Sequence, residues 1–541
     1  MVRTSIEKAI QAALAELGAE DVSFVVERPS DMSHGDYATN AALVAAKSLK
    51  ANPREIAQSL TEKLPTIEGV KNIEVAGAGF INFSLSPEVL TDIVGEATEE
   101  GWGKNSLYLG QHVLVEYTDP NPFKEFHIGH LMSNAIGESI ARLFEAGGAD
   151  VKRANYQGDV GVHVAKAIWA KRQKPEMSWG EAYVYGSAEY ETNKEEIDEL
   201  NKTIYEKSDV EVNKLYEQGR NQSLDHFEGI YKTLGTKFDY YFFESETGVL
   251  GLDLVDKHPE VFERSDGATI FRGENVGLHT RVFINSKGLP TYEAKELGLV
   301  VAKKKQGQFD LSLTVTANET RDFFRVVRAA AEKIFPDLED KMLTRFHGFL
   351  KLTTGKMSSR LGNVITGESL IRDLTEEARG REDVAVGAIK FMVLRQNTGK
   401  DIIFDPEKSL SLEGDSGPYV QYALVRTRSL LREAKKAVIA DRVNSEAVRQ
   451  PGGASELTRS ALTRLLVHFP DVVARASMEL EPHHVATYLT ELASSFNSWY
   501  ASERLIVDGE VSSDALALVR AVEHTLDRGL NILGIPAPQE M

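Results

Sequence analysis

Two histidines flank a glycine in the stretch NPFKEFHIGHLMSN, residues 121–134. An apolar run, HVLVEY (112–117), precedes it, and a helix-like run, LMSNAIGESIARLFEAGG, follows. His127, Gly129 and His130 therefore sit on a strand-to-helix turn that could hold a metal, cradle an anion, or simply pack. A zinc-protease pair needs ligands four apart with a general-base glutamate between them. Here the spacing is three and no acid stands between, so no metal is assigned. The cradle suits the residue types better. Gly129 lets backbone approach a ligand closely, a helix start presents free N–H groups to an anion, and two imidazoles can donate to phosphate oxygens. Taken alone, the pair is also compatible with packing.

A second stretch, GKMSSRLGN (355–363), supplies two cations, Lys356 and Arg360, and two hydroxyls, Ser358 and Ser359. Met357 follows Gly355-Lys356 and the upstream glycine of a Walker loop is missing, so this is not a P-loop. Such a turn between a strand and a helix suits a polyphosphate. Read by itself, a solvated basic loop is the plainer alternative.

Both stretches need elements to position them. The chain has 541 residues, too many for one core, so about two to four domains are expected. The fold class expected is multidomain α/β. Residues 1–107 read as an α+β domain. Residues 108–400 read as a Rossmann-like domain with a doubly wound parallel sheet, carrying a helical insertion at about 166–260, and 401–541 as an all-α helical bundle. In the second region a short continuously apolar run, HVLVEY, as in a buried parallel strand, is followed by a helical pattern and a second strand-like run, VKRANYQG, a spacing that suggests a doubly wound sheet. VSFVVERP and FHGFLKL read as strands, and Lys303-Lys304-Lys305 as a solvated loop.

Composition narrows the function classes. There are no cysteines, which excludes disulfides and thiolate zinc sites and fits a reducing cytoplasm. The net charge of −19 argues against a non-specific DNA binder, and a nucleic-acid partner would need a local basic face. No stretch reaches the length of a membrane span. The first residues, apolar at Ile6, Ala9, Ile10, Ala13, Leu14 and Leu17, have helical periodicity and do not read as a signal peptide.

Together, the His-x-Gly-His turn after the first strand of an α/β region and the Lys-Met-Ser loop after a late strand resemble the signature pair of class I aminoacyl-tRNA synthetases. Neighbouring stretches resemble the arginyl-tRNA synthetase family: EYTDPNPFKEFHIGHL, NYQGDVGVHVAK (155–166), GLPTYEAKELGL (288–299), GDSGPYVQYALVR (414–426), the ending LNILGIPAPQEM, and the N-terminal SHGDYATNAAL and GAGFINFSL. The resemblance spans nearly the whole chain. It implies an ATP site at His127, Gly129, His130, Lys356, Met357, Ser358 and Ser359, with His127, His130 and Lys356 catalytic. It implies arginine contacts at Glu116, Asn121, His163, Tyr292 and Glu296, and tRNA contacts at Phe80, Asn82, Arg426 and Arg432. Mg²⁺ would accompany ATP, no zinc is implied, and the partners are tRNA(Arg), L-arginine and ATP, with no membrane and no DNA. The family's usual state is a monomer. Departures are Met132 where a basic residue is usual, His163 where Gln is common, Glu296 where Asp is common, and Ser359 where the class has a second lysine.

The residues support that substrate on their own terms. A planar cation with five donors is best held by carboxylates in bidentate geometry. Glu116 ends the first strand, where doubly wound folds bind ligands. Glu296 lies one turn after Tyr292 on a shared helix face, and Tyr292 can cover a guanidinium. Arg426, Arg428, Arg432, Lys435 and Lys436 fall on one helix that could meet stem phosphates. Two rival readings are a synthetase for cysteine or glutamate and a catalytically dead RNA-binding relative. The lack of cysteine ligands, the acidic pocket candidates, and the intact His127, His130 and Lys356 weigh against them.

Overall fold

The computed structural model describes the chain except for residues 1, 30, 354–365, 440–452, 503–505 and 508–509. Lys356, Met357, Ser358 and Ser359 thus lie outside the described residues. Packing divides the chain into two units that do not follow chain order. One comprises Met1–Trp102, Ala423–Asp471 and Glu491–Arg528, and the other Gly103–Tyr422, Val472–Thr490 and Gly529–Met541.

In the first unit, helix α1 (Val2–Glu16) buries Ile6, Ala9, Ile10, Ala13 and Leu14, the periodic face read from the sequence. It joins a four-stranded antiparallel sheet of β1 (Val26–Glu27), β2 (Tyr37–Thr39), β3 (Val70–Ala76) and β4 (Phe80–Leu85), ordered β1-β2-β4-β3. Helices α2 (Ala41–Leu49) and α3 (Pro53–Lys63) complete this core, and α4 (Pro87–Glu96) follows β4. The strand expected in VSFVVERP shrinks to two residues. Side chains take its backbone groups instead: Asn40 Oδ1 accepts the Val25 N–H at 3.0 Å and Thr39 Oγ1 donates to the Val25 carbonyl at 2.7 Å. C-terminal segments of the same unit pack here, with Tyr37 donating to Asp471 at 2.7 Å and Trp102 to Thr525 at 3.0 Å.

The second unit is built on a five-stranded sheet, parallel throughout. Its strands are β5 (His112–Glu116), β6 (Asp150–Gln157), β7 (Tyr240–Phe243), β11 (Leu311–Ala317) and β12 (Met342–His347), in the order β12-β11-β5-β6-β7. From β5 the chain winds first through β6 to β7, then crosses to β11 and β12. The order therefore reverses beside β5, and the crevice at its C-terminal end is where such sheets take ligands. Helix α5 (Ile128–Ala146) links β5 to β6. Helices α6 (Val162–Gln173), α7 (Trp179–Ala188), α8 (Lys194–Glu206) and α9 (Val210–Leu234) form the insertion, with its own core around Phe123, Val164, Ile168, Trp179 and Leu200. Then come α10 (Glu244–Lys257), an antiparallel ribbon β8 (Glu263–Ser265), β9 (Ala268–Phe271) and β10 (Arg281–Ile284), α11 (Tyr292–Gln306), and α12 (Arg321–Ile334) after β11.

Two expectations are corrected here. Lys303–Lys305 is not a loop but the last turn of α11, and Lys303 is 4% exposed. It is held there by a buried carboxylate, described below. FHGFLKL is not one strand. At His347 the chain leaves the sheet, the Gly348 N–H goes to the Thr398 carbonyl and the Phe349 N–H to Asp401. It resumes as β13 (Leu350–Leu352), which pairs in parallel with β14 (Ile402–Phe404). Helices α13 (Gly367–Glu377) and α14 (Glu382–Leu394) separate β13 from β14. The C-terminal region is helical as expected: α15 (Gly417–Ile439), α16 (Gly453–Val467), α17 (Phe469–Glu479), α18 (His483–Ser502) and α19 (Ser513–Ile532), with a short hairpin pairing Ile506–Val507 with Glu510–Val511. No helix among the described residues is long and apolar enough to cross a membrane.

Candidate active site

His127 is the N-cap of α5. Its Nδ1 accepts the Gly129 N–H at 3.1 Å, and His130 Nδ1 accepts the His127 N–H at 3.1 Å. Two imidazoles thus make the reciprocal cap that a serine and a glutamate make at many helix starts. The rings stack with centroids 3.5 Å apart and planes 20° apart. Because both Nδ1 atoms accept, each ring carries its proton on Nε2, a tautomer assigned from the hydrogen bonds. Burial, then the nearby Lys124, lowers the pKa of His127, and burial, then His127 and Lys124, pushes His130 well below its usual value. Both rings are neutral at pH 7, and each keeps one Nε2–H for an outside acceptor. A Cβ on Gly129 would lie 3.0 Å from Nδ1 and Cε1 of His127, so the glycine is what lets the capping ring fold back over the helix start.

The turn before α5 is strained. Thr118, Asp119 and Phe123 have φ of 80°, 48° and 69°, a region non-glycine residues rarely adopt. The strain is held by specific bonds. The Thr118 N–H goes to Ser133 Oγ at 3.0 Å, the Tyr156 N–H to Asp119 Oδ1 at 2.7 Å, and the Phe123 N–H to Ser223 Oγ at 2.9 Å. On the far side of the turn, Thr366 pairs with His127 in an isolated antiparallel bridge, and the Gly367 N–H donates to the Phe126 carbonyl at 2.6 Å.

Beside the turn lies a buried acidic cluster. Glu116 (1% exposed) and Glu296 (9% exposed) are both buried. Glu296 comes from α11, the helix that begins at Tyr292. Burial, then Glu116, raises its pKa to about 8, and the same two causes push Asp119 well above the carboxylate range. Lys303 Nζ reaches Glu116 Oε2 at 2.7 Å, and Lys295 Nζ reaches Glu244 Oε2 at 2.6 Å. Asn121 and His163 hold Gly158 by its two backbone groups. Asn121 Oδ1 accepts the Gly158 N–H at 3.0 Å, and His163 Nε2 donates to the Gly158 carbonyl at 2.8 Å. A Cβ at position 158 would sit 2.3 Å from Asn121 Oδ1, so only glycine permits this grip. Burial lowers the His163 pKa to about 3, leaving a neutral ring whose Nδ1 can accept from a cation. Tyr292 is 66% exposed, with Lys295 Nζ 5.3 Å from its ring centre.

Around β5 the structure brings together His127, Gly129 and His130, and also Glu116 with Glu296; Asn121 and His163 meet across Gly158. Phe80 and Asn82 share one face of β4, Phe80 exposed and Asn82 buried. Arg426 donates to Asn497 Oδ1 at 2.9 Å and lies 5.1 Å from the Tyr500 ring centre, while Arg432 is exposed on α15. Asp119, Lys124 and Lys303 were missed by sequence reading. Their only sequence signal was adjacency: Asp119 and Lys124 lie between Glu116 and His127, and Lys303 lies two turns of helix beyond Glu296.

Comparison with known proteins agrees with this geometry. Residues 4–85 match the arginyl tRNA synthetase N-terminal domain, 98–405 the class I (R) tRNA synthetase catalytic domain, and 420–541 the DALR anticodon binding domain. The arginine–tRNA ligase of Lactobacillus delbrueckii subsp. bulgaricus is 30% identical over 99% of both chains, and that of Treponema denticola 28% over 100% of both. The Thermus thermophilus arginyl-tRNA synthetase structure superposes with a TM-score of 0.81, at 28% identity and over 100% of both chains. With a parallel sheet, a histidine-capped helix at its switch point and a buried acidic cluster alongside, the chain belongs to the class I arginyl-tRNA synthetase family.

Proposed function

We propose that His127 and His130 hold ATP phosphates while Glu296, with Asp119 and the field of Glu116, holds the guanidinium of arginine. The enzyme is an arginine–tRNA ligase. The substrate's carboxylate attacks the α-phosphate of ATP, pyrophosphate leaves, and arginyl-adenylate forms. The arginyl group then passes to a hydroxyl of the 3′-terminal ribose of tRNA(Arg), the 2′ position by class likeness, releasing AMP. No protein nucleophile is needed. Orientation and stabilisation of charge on the phosphates carry the rate.

The single supporting observation is the reciprocal histidine cap. It fixes two neutral rings with one Nε2–H each at the positive end of α5, beside the crevice where the strand order reverses. Lys356, Met357, Ser358 and Ser359 would serve the triphosphate, with Mg²⁺ travelling on the nucleotide. Asn121 and His163 would shape the arginine end and Tyr292 would close over it. Phe80, Asn82, Arg426 and Arg432 would meet tRNA, within functional segments 1–107, 108–400 and 401–541. The protein would work as a monomer in the cytoplasm. ATP–pyrophosphate exchange with each amino acid, with and without tRNA(Arg), is the test. Exchange with arginine alone among the amino acids, and dependent on tRNA as the family likeness implies, is expected. Exchange driven by another amino acid would reject the assignment.

A further inference from the structure

Four carboxylates from four elements converge beside the turn: Glu116 of β5, Asp119 of the loop, Glu244 opening α10 and Glu296 of α11. Two have internal cations. Lys295 is hydrogen-bonded to Glu244, and Lys303 lies 2.7 Å from Glu116, with side chains only 4% and 2% exposed. Burying both ions of such a pair costs desolvation that attraction only partly returns, so the pair is poor as a stabilising clasp. Its geometry is also poor for that role. Glu116 Oε2 is fully buried and has no aligned hydrogen bond. Lys303 thus acts on Glu116 as a charge. It extends from the same helix that carries Tyr292 and Glu296, about three turns from Tyr292.

We propose that Lys303 is a positioning residue of the arginine pocket: as the resident counter-ion of Glu116, it leaves Glu296 and Asp119 as the carboxylates that receive the substrate cation. This rests on the pocket assigned above. An uncompensated charge on Glu116 would hold protons on Glu296 and Asp119, which an incoming guanidinium would have to displace. With Glu116 neutralised, fewer protons stand in the way when the substrate cation arrives beside Glu296. The charged groups facing Lys303 and Glu116 are Asp119 and Glu296, with Glu244 and its partner Lys295 behind them.

The test is the pH dependence of kcat/KM for arginine in the full-length enzyme with tRNA present. Lys303→Met should move the acid limb to higher pH, and each unit of that shift lowers kcat/KM below the limb roughly tenfold. Glu116→Gln, which leaves Lys303 unopposed, should move the limb the other way. The double variant should return it close to the parent position. The KM for ATP should stay within about threefold of the parent throughout, since only the arginine step carries the effect. A limb unmoved in Lys303→Met, or moved in the same direction by both single variants, overturns the proposal. If Lys303→Met does not fold, Glu116→Gln and the uncharged double variant still give the directions. Glu296→Gln separates the two readings. If it leaves the arginine KM unchanged, the pocket itself is misassigned. If it raises that KM while Lys303→Met does nothing, only the role of Lys303 falls.

Discussion

Thr366 is paired by its backbone with His127, the residue that caps α5. The chain leaving the segment that carries Lys356 is thereby fastened to the first histidine of the turn, and the adjacent Gly367 N–H bonds to Phe126 at 2.6 Å. His127 and Thr366, 239 positions apart in the chain, are brought into one neighbourhood by this single rung. Changes at either are expected to act on the same step.

The cap and the chemistry of His127 can be separated. His127→Ala should lower adenylate formation by roughly 10²–10³, the cost of one transition-state donor, and lower stability by about 1 kcal/mol through the lost cap. His127→Asp should keep the cap and the stability, because its carboxylate still accepts the Gly129 N–H. It should be no more active than the alanine variant, since an anion faces the triphosphate. Denaturant titration beside pyrophosphate exchange checks both. An active aspartate variant would refute phosphate donation.

Gly129→Ala sets two effects against each other. Alanine favours a helix over glycine by about 1 kcal/mol, so unfolding should be unchanged or slightly harder. The new Cβ would press on the His127 ring at 3.0 Å and turn its Nε2–H away. A rise in KM for ATP or a fall in kcat, roughly tenfold or more for about 1.4 kcal/mol of lost alignment, is expected with Tm unharmed. Unaltered kinetics would show that ring placement does not matter.

Arginine binding should release protons. In the free enzyme Glu296 titrates at about 8, so at pH 7 it is mainly protonated, whereas a guanidinium requires the carboxylate. Affinity should rise with pH towards 8 and level off above it. Calorimetry at pH 7 in buffers of different ionisation heat should register proton release that fades by about pH 9. Glu296→Gln should weaken binding by about 1.5–3 kcal/mol and abolish most of the release. Binding that exchanges no protons at pH 7 would exclude Glu296 as the receiving group.

Lys390 gives a stability test remote from the chemistry. It is 1% exposed on α14 and donates to the Leu234 carbonyl at 2.6 Å and the Gly534 carbonyl at 2.7 Å. Burial lowers its pKa to about 8 from 10.5. The unfolded chain therefore binds more protons between those values, and this group makes stability rise as pH increases through that window. Lys390→Met should cost about 1–3 kcal/mol by leaving buried carbonyls unpaired, and should remove that part of the slope. An unchanged slope in urea titrations from pH 8 to about 10.5 would show that another group carries it.

Much of the architecture was readable because it depends on local pattern. The period of α1, the apolar run of β5, the strand-like patterns of β6 and β11, and the glycine between two histidines all act within a few residues, and they determined the helices, the parallel sheet and the strand-to-helix turn. What tertiary structure alone decided involves pairs far apart in the chain. Lys303 reads as one of three consecutive lysines until Glu116, 187 positions earlier, is placed against it. Glu296 reads equally well as a surface acid until the sheet, the loop and α11 close around it, and that burial, with Glu116 beside it, lifts its titration. VSFVVERP had the composition of a strand, but Thr39 and Asn40 offered its backbone other partners. Periodicity reports which face of an element is apolar. It carries no record of which charge on another element will share its low-dielectric surroundings, and that sharing is what set the chemistry of the pocket.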